Sequence, residues 1–212
     1  MAPCASTLAT MTAGADGAVR RWAIALIGAF AAGVAMSFGQ TYAPEWLAPL
    51  CNSAAPVVAV AGLTAFAARR WWSSALIAAL AGPTLIAGYY LTSQLRGFAA
   101  SMSWVVLWAT AGVLFGAVMG LAVWVLLHAS RLMVRAVAAA LWPGIALGEA
   151  AHGLLRNGES TPAGYWWAQA VVAVVVLTAV TWKHAWSVLG CVLATVSAAL
   201  IAAVIFAVYG AV

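Results

Sequence analysis

The sequence predicts an all-α fold, a polytopic transmembrane helical bundle, and three observations predict it. Of the 212 residues, 67% are hydrophobic and only 6% are charged, against roughly 25% charged in a soluble domain. The apolar residues fall into runs of about 20, the length that carries a helix across a hydrocarbon core of about 30 Å. Short segments between the runs hold the Arg and Lys residues, where orientation signals sit. The formal charge of +5 is therefore spread over these clusters and does not indicate a nucleic-acid surface.

Residues 1–19 are small and polar, with no apolar core ahead of a cleavage site, so a disordered cytoplasmic tail is expected rather than a signal peptide. Residues 20–212 form a single transmembrane domain. Seven apolar runs follow: Trp22–Gln40, Leu50–Ala68, Trp72–Leu91, Trp104–Leu127, Leu132–Leu155, Tyr165–Trp182 and Ala185–Tyr209. The second starts irregularly, and six spans with that run re-entrant is the alternative. Pro44, Pro49 and Pro56 discourage a regular helix ahead of it. Yet the stretch is too apolar to sit wholly in water. It reads as a loop dipping into the outer face, its backbone satisfied by protein or by a water-filled cavity.

With a cytoplasmic N-terminus, Arg20, Arg21, Arg69, Arg70, Arg131, Arg135 and Lys183 fall inside, and only Arg96 and Arg156 outside. That asymmetry sets the orientation in a cytoplasmic membrane. Trp22, Trp71, Trp72, Trp182 and Trp186 then mark the inner interface.

The polar side chains collect toward the outer half. They are Gln40, Asn52, Tyr89, Tyr90, Gln94, Arg96, Glu149, His152 and Gln169, with Trp104, Trp108 and Trp166 among them. The inner half is mostly Ala, Val, Leu and Gly. Glu149 is the focus, because an ionised group at membrane depth costs at least a few kcal/mol and needs a partner. Glu149, His152 and Arg156 are spaced to share one helix face. One reading is structural, a carboxylate paired with Arg96, Arg156 or His152. The other is a ligand or proton site walled by tryptophans, which suit flat or cationic ligands.

Glu149-x-x-His152 has the spacing of half a di-metal site. The chain has only four acidic residues, and Asp16 and Glu159 fall in soluble segments, so no metal or other cofactor is expected. Cys4, Cys51 and Cys191 show neither disulfide nor zinc spacing. Hydrolase and ATPase motifs are missing, so a non-enzymatic protein is expected. Gly112, Gly116 and Gly120, like Gly144 and Gly148, have the small-residue spacing that lets helices approach closely. They suit internal packing or a face for a partner subunit.

The elements FGQ (38–40), NSAAP (52–56), GYYLTSQLRG (88–97), the glycines of 112–120 and GEAAHG (148–153) resemble a family of uncharacterised small bacterial integral membrane proteins. More loosely, the layout resembles the substrate-binding S components of energy-coupling-factor vitamin transporters. That resemblance implies an outward pocket and a small-residue docking pattern on the first helix, for which Ala25 and Ala29 have the spacing. S components generally have six spans. Together these readings lead to a small-molecule binding or transport protein, with its outward pocket formed by the polar and aromatic residues above. A structural or accessory subunit, with the polar cluster as an internal network, is the competing reading. The lipid bilayer is a partner in either case.

Overall fold

The computed structural model describes residues 4–157, 161–183 and 187–211. Glu159 and Trp186 lie outside them. Seven α-helices follow in order: α1 (Cys4–Tyr42), α2 (Ala54–Thr64), α3 (Trp71–Leu95), α4 (Met102–His128), α5 (Leu132–Arg156), α6 (Ala163–Lys183) and α7 (Val188–Tyr209). No strand occurs among the described residues. Helix begins at Cys4, where an irregular tail was expected. This Ala-rich stretch has no proline after Pro3, so nothing local stops a helix that α1 can extend backward. The portion of α1 long and apolar enough to cross a membrane is Gly17–Tyr42.

Among the described residues six helices meet that length and hydropathy, and α2 does not. Even with the 3₁₀ turn Ala65–Ala67 that continues it, α2 reaches only about 21 Å at 1.5 Å per residue. The segment nevertheless joins opposite ends of α1. Cys51 Sγ sits against Gly39, while the Ala67 carbonyl accepts a 3.3 Å hydrogen bond from Arg21 Nε. The missing length comes from Ser53, which is extended (φ −89°, ψ 139°), and from the steeper rise of the 3₁₀ turn.

The remaining helix directions follow from which backbones meet. Gly33 lies against Leu85 and Tyr89, Ser37 Oγ is 2.9 Å from Ser93 Oγ, and Thr41 meets Arg96, so α1 and α3 are parallel neighbours. Gly82 meets Gly112 and Ser74 meets Gly120, so α4 runs antiparallel to α3. Gly144 meets Ala198 and Gly148 meets Ala202, so α5 and α7 are parallel. Gln169 reaches Ala146 while Gly153 packs on Trp166, which makes α6 antiparallel to α5. Among the described residues the chain thus runs back and forth through the bundle on seven helices, six of them of membrane-spanning length. The seven basic residues from Arg20 to Lys183 named above fall at one end, and Arg96 and Arg156 at the other, with Glu149 nearer the second.

The tight seams are built on glycine. A Cβ on Gly116 would run into the Ala78 carbonyl, and one on Gly120 into that of Ser74. Gly112, Gly116 and Gly120 are all buried against α3. The expected partner-docking use of this face is therefore corrected: close approach to α3 uses it up. Ala29, 1% exposed, packs with Ala61, Ala81 and Leu85, so it is not available as a docking residue on the surface of α1. Large apolar side chains instead face outward along α4, α6 and α7, as lipid contact requires.

Candidate functional site

The centre of the site is the N-terminus of α2. Ser53 precedes the helix, and Pro56 in its first turn has no N–H. Two backbone donors, Ala54 and Ala55, are therefore left without intrahelical partners. Ser53 makes no capping bond to its own helix. The cap comes from α5. Glu149 Oε1 accepts the Ala54 N–H at 2.7 Å, and Oε2 accepts the Ala55 N–H at 3.0 Å. A carboxylate here also faces the positive end of the helix dipole.

Three side chains complete the shell of Glu149, which is 3% exposed. Tyr209 OH donates to Oε1 at 2.8 Å. Ser53 Oγ donates to Oε2 at 2.6 Å, and Gln169 Nε2 donates to the same oxygen at 3.1 Å. Gln169 Nε2 also reaches the Ala146 carbonyl at 3.0 Å. Trp142 Nε1 donates to the Ala55 carbonyl at 2.8 Å, a second tie between α5 and α2. One carboxylate thus joins α2, α5, α6 and α7.

This geometry corrects the expected partners of Glu149. Arg96 lies elsewhere: its guanidinium donates to the Ser37 carbonyl at 2.5 Å and to Thr41 Oγ1 at 2.8 Å. The same group stacks over Phe38 at 4.5 Å, so Arg96 ties α3 to the end of α1. Arg156 is exposed. Donors from backbone and neutral side chains take the place of a cation. With both oxygens engaged, Glu149 is also not free to receive a cationic ligand group.

The other predicted residues divide between two cavities on either side of Asn52. One, of about 350 Å³, is lined by Gln40, Glu45, Asn52, Glu149, His152, Trp166 and Tyr209, among others. The second, of about 270 Å³, includes Asn52, Ser53, Tyr89, Tyr90 and Trp108. Tyr89 OH donates to Gln40 and lies 3.4 Å from Asn52 Oδ1. Tyr89 and Tyr90 meet edge to face at 5.0 Å. Trp104 and Trp108 line a third, apolar groove. Gln94 is exposed at the end of α3, and Gln169 is buried behind Glu149; neither lines these cavities.

His152 is one of the described residues with a buried polar atom left unpaired. Its Nδ1 is buried with no hydrogen-bond partner among the described residues. Its ring lies 5.4 Å from that of Tyr209.

Ser53 and Tyr209 belong to the Glu149 shell but escaped the sequence reading. A serine three residues before Pro56 is a helix-start signal, which would have found Ser53. Tyr209 stands at the end of an apolar run where a tyrosine reads as an interfacial anchor, so nothing local marks it.

Fold and site define a multi-pass membrane protein whose short central helix is capped by a buried carboxylate from a neighbouring helix. The chain belongs to DUF6518, a family of unknown function, which it matches over residues 12–212. No curated protein and no solved structure matches it. The comparisons thus support the expected membership of an uncharacterised family, and add nothing to the likeness to S components.

Proposed function

We propose that this protein binds a small molecule in the membrane, as a non-enzymatic binding or transport component. Its ligand would occupy the paired cavities beside the α2 N-terminus. With the N-terminus in the cytoplasm of a bacterium, as the basic residues favour, those cavities face outward. The observation that carries the reading is the division of labour at Asn52. The Glu149 shell is closed, while Asn52, Tyr90, Trp108, His152 and Trp166 line open space on either side of it. Concave sites of a few hundred Å³ with aromatic walls and few polar groups are the usual form of a ligand pocket.

The test is native mass spectrometry of gently solubilised protein, with bound small molecules extracted and identified. A stoichiometric ligand that is lost from Trp108→Ala and Asn52→Leu, both still monodisperse, supports the reading. Retention by both variants, or a ligand-free wild type, contradicts it. The five donors closed around Glu149 favour a second reading, an accessory subunit whose polar cluster is an internal network. A stoichiometric protein partner with no small molecule bound would select that one.

A further inference from the structure

The hydrogen bonds around Glu149 include one more acceptor than the hydrogens available can serve. Gln169 Nε2 bonds the Ala146 carbonyl at 3.0 Å. That bond fixes which way the amide points, because its oxygen in the same place would face another acceptor. Gln169 Oε1 is thereby turned toward Ser53 Oγ, 3.1 Å away. Ser53 Oγ also lies 2.6 Å from Glu149 Oε2. A serine hydroxyl carries one hydrogen, so it cannot serve both oxygens. With Glu149 ionised, that hydrogen goes to Oε2. No other donor then reaches Gln169 Oε1 among the described residues. Ser53 is 2% exposed and Gln169 8%, so the deficit is buried, where an unpaired acceptor is costly.

A proton on Glu149 removes the deficit without moving a heavy atom. Placed on Oε2, it is donated to Ser53 Oγ. The serine hydroxyl then turns its own hydrogen to Gln169 Oε1. Glu149 Oε1 still accepts from Ala54 and Tyr209. Oε2 keeps Ala55 and Gln169 in reach, because a protonated carboxyl retains acceptor capacity beside its O–H. α2 therefore stays capped in both states. The ionised state has the stronger, charge-assisted bonds. The protonated state pairs every acceptor and leaves no charge at membrane depth.

The surrounding groups leave both states open. Tyr209 of α7 bonds Glu149, and Tyr165 of α6 stands by Ser53. Cys51, in the 3₁₀ turn Ala48–Asn52, lies near Tyr165. His152 and Glu45 share the cavity of about 350 Å³ that Glu149 lines, and no Lys or Arg does. Arg96 is held at the end of α1. No arginine or lysine thus locks the carboxylate in its ionised form, and water in the cavity can deliver a proton.

We propose that Glu149 is a reversible proton-binding site, with Ser53 turning between Glu149 and Gln169 as the proton comes and goes. Loading removes the negative charge that Glu149 turns to the cavity, while the cap on α2 remains. The site needs no second ligand.

The test is infrared difference spectroscopy of the full chain in lipid nanodiscs, following the C=O stretch of protonated carboxylic acid as pH is stepped down and back. No histidine, amide or ionised carboxylate shares that band. The wild type should show a band that grows with acid and disappears on reversal. Glu149→Gln should lose it and Glu45→Gln should keep it. Because Glu149→Gln also disturbs the cap, two variants that retain the carboxyl assign the band independently. Tyr209→Phe takes a hydrogen bond from Oε1, the carbonyl oxygen of the protonated group, and should move the band to higher frequency. Ser53→Ala takes away the acceptor of the added proton and should move it the same way. No band, or a band that does not change with pH, would overturn the proposal, since Glu149 would then be fixed in one state. A titrating band that ignores both Tyr209→Phe and Ser53→Ala would also overturn it, because it would belong to an exposed carboxyl such as that of Glu45.

Discussion

The α3–α4 seam and the α2–α5 junction hold helices together by opposite means. Along the seam, Gly82, Gly112, Gly116 and Gly120 remove side chains so that backbones touch. The gain is dispersion spread over many small contacts. At the junction, one carboxylate gathers two backbone N–H groups, two hydroxyls and an amide. There the gain is avoidance of a penalty, because an orphaned polar group in hydrocarbon costs several kcal/mol. The seam fails by crowding and the junction by loss of a partner. A long helix such as α4, with no proline inside it, satisfies its backbone internally and needs only a smooth face. The short α2 begins inside the bundle and needs an acceptor for its first two amides.

Substitutions can separate the two mechanisms. The largest effect is expected from Glu149→Leu, which strands the Ala54 and Ala55 amides together with Tyr209 and Gln169. At about 1–3 kcal/mol for each unsatisfied group, the loss should abolish a monodisperse peak in size-exclusion chromatography. Gly116→Leu comes next. Its Cβ meets the Ala78 carbonyl, and overpacking costs about 1–3 kcal/mol or more. It should lower the thermal unfolding midpoint measured in detergent, while α2 stays as protected from hydrogen exchange as before. Tyr209→Phe removes one of the five donors and should cost about 0.6–1.7 kcal/mol, the range for hydrogen bonds between membrane helices. Arg156→Ala, at an exposed position away from both contacts, should change the midpoint within about 0.5 kcal/mol. A loss as large as that of Tyr209→Phe would mean that Arg156 supports the junction after all.

How much of this could be read from the chain follows the same division. Composition and run length give the bundle, and six of its helices have the length and hydropathy of a membrane span. The glycine seam is visible as spacing, though its direction is not, since a glycine face suits a partner as well as a neighbour. Glu149 stands out as a lone carboxylate in an apolar run. Its partners do not, because an acceptor and its donors can be a hundred residues apart. The sequence reading sought a cation, yet two alanine amides serve instead, and backbone donors have no letter in a sequence. The length of α2 was also misjudged. Ser53 and the 3₁₀ turn stretch a short helix across the bundle, and hydropathy alone reports that stretch as one more full run.

The most direct measurement is hydrogen exchange by mass spectrometry on Glu149→Gln beside the wild type, comparing peptides over residues 48–67 with peptides over α3 and α4. Glutamine keeps one acceptor but turns an N–H₂ group toward a backbone N–H that had been bonded. If Glu149 caps α2, exchange should accelerate in residues 48–67, most at Ala54 and Ala55, with α3 and α4 unchanged. Unchanged exchange throughout, or a uniform rise across all helices, would show that α2 does not depend on this carboxylate.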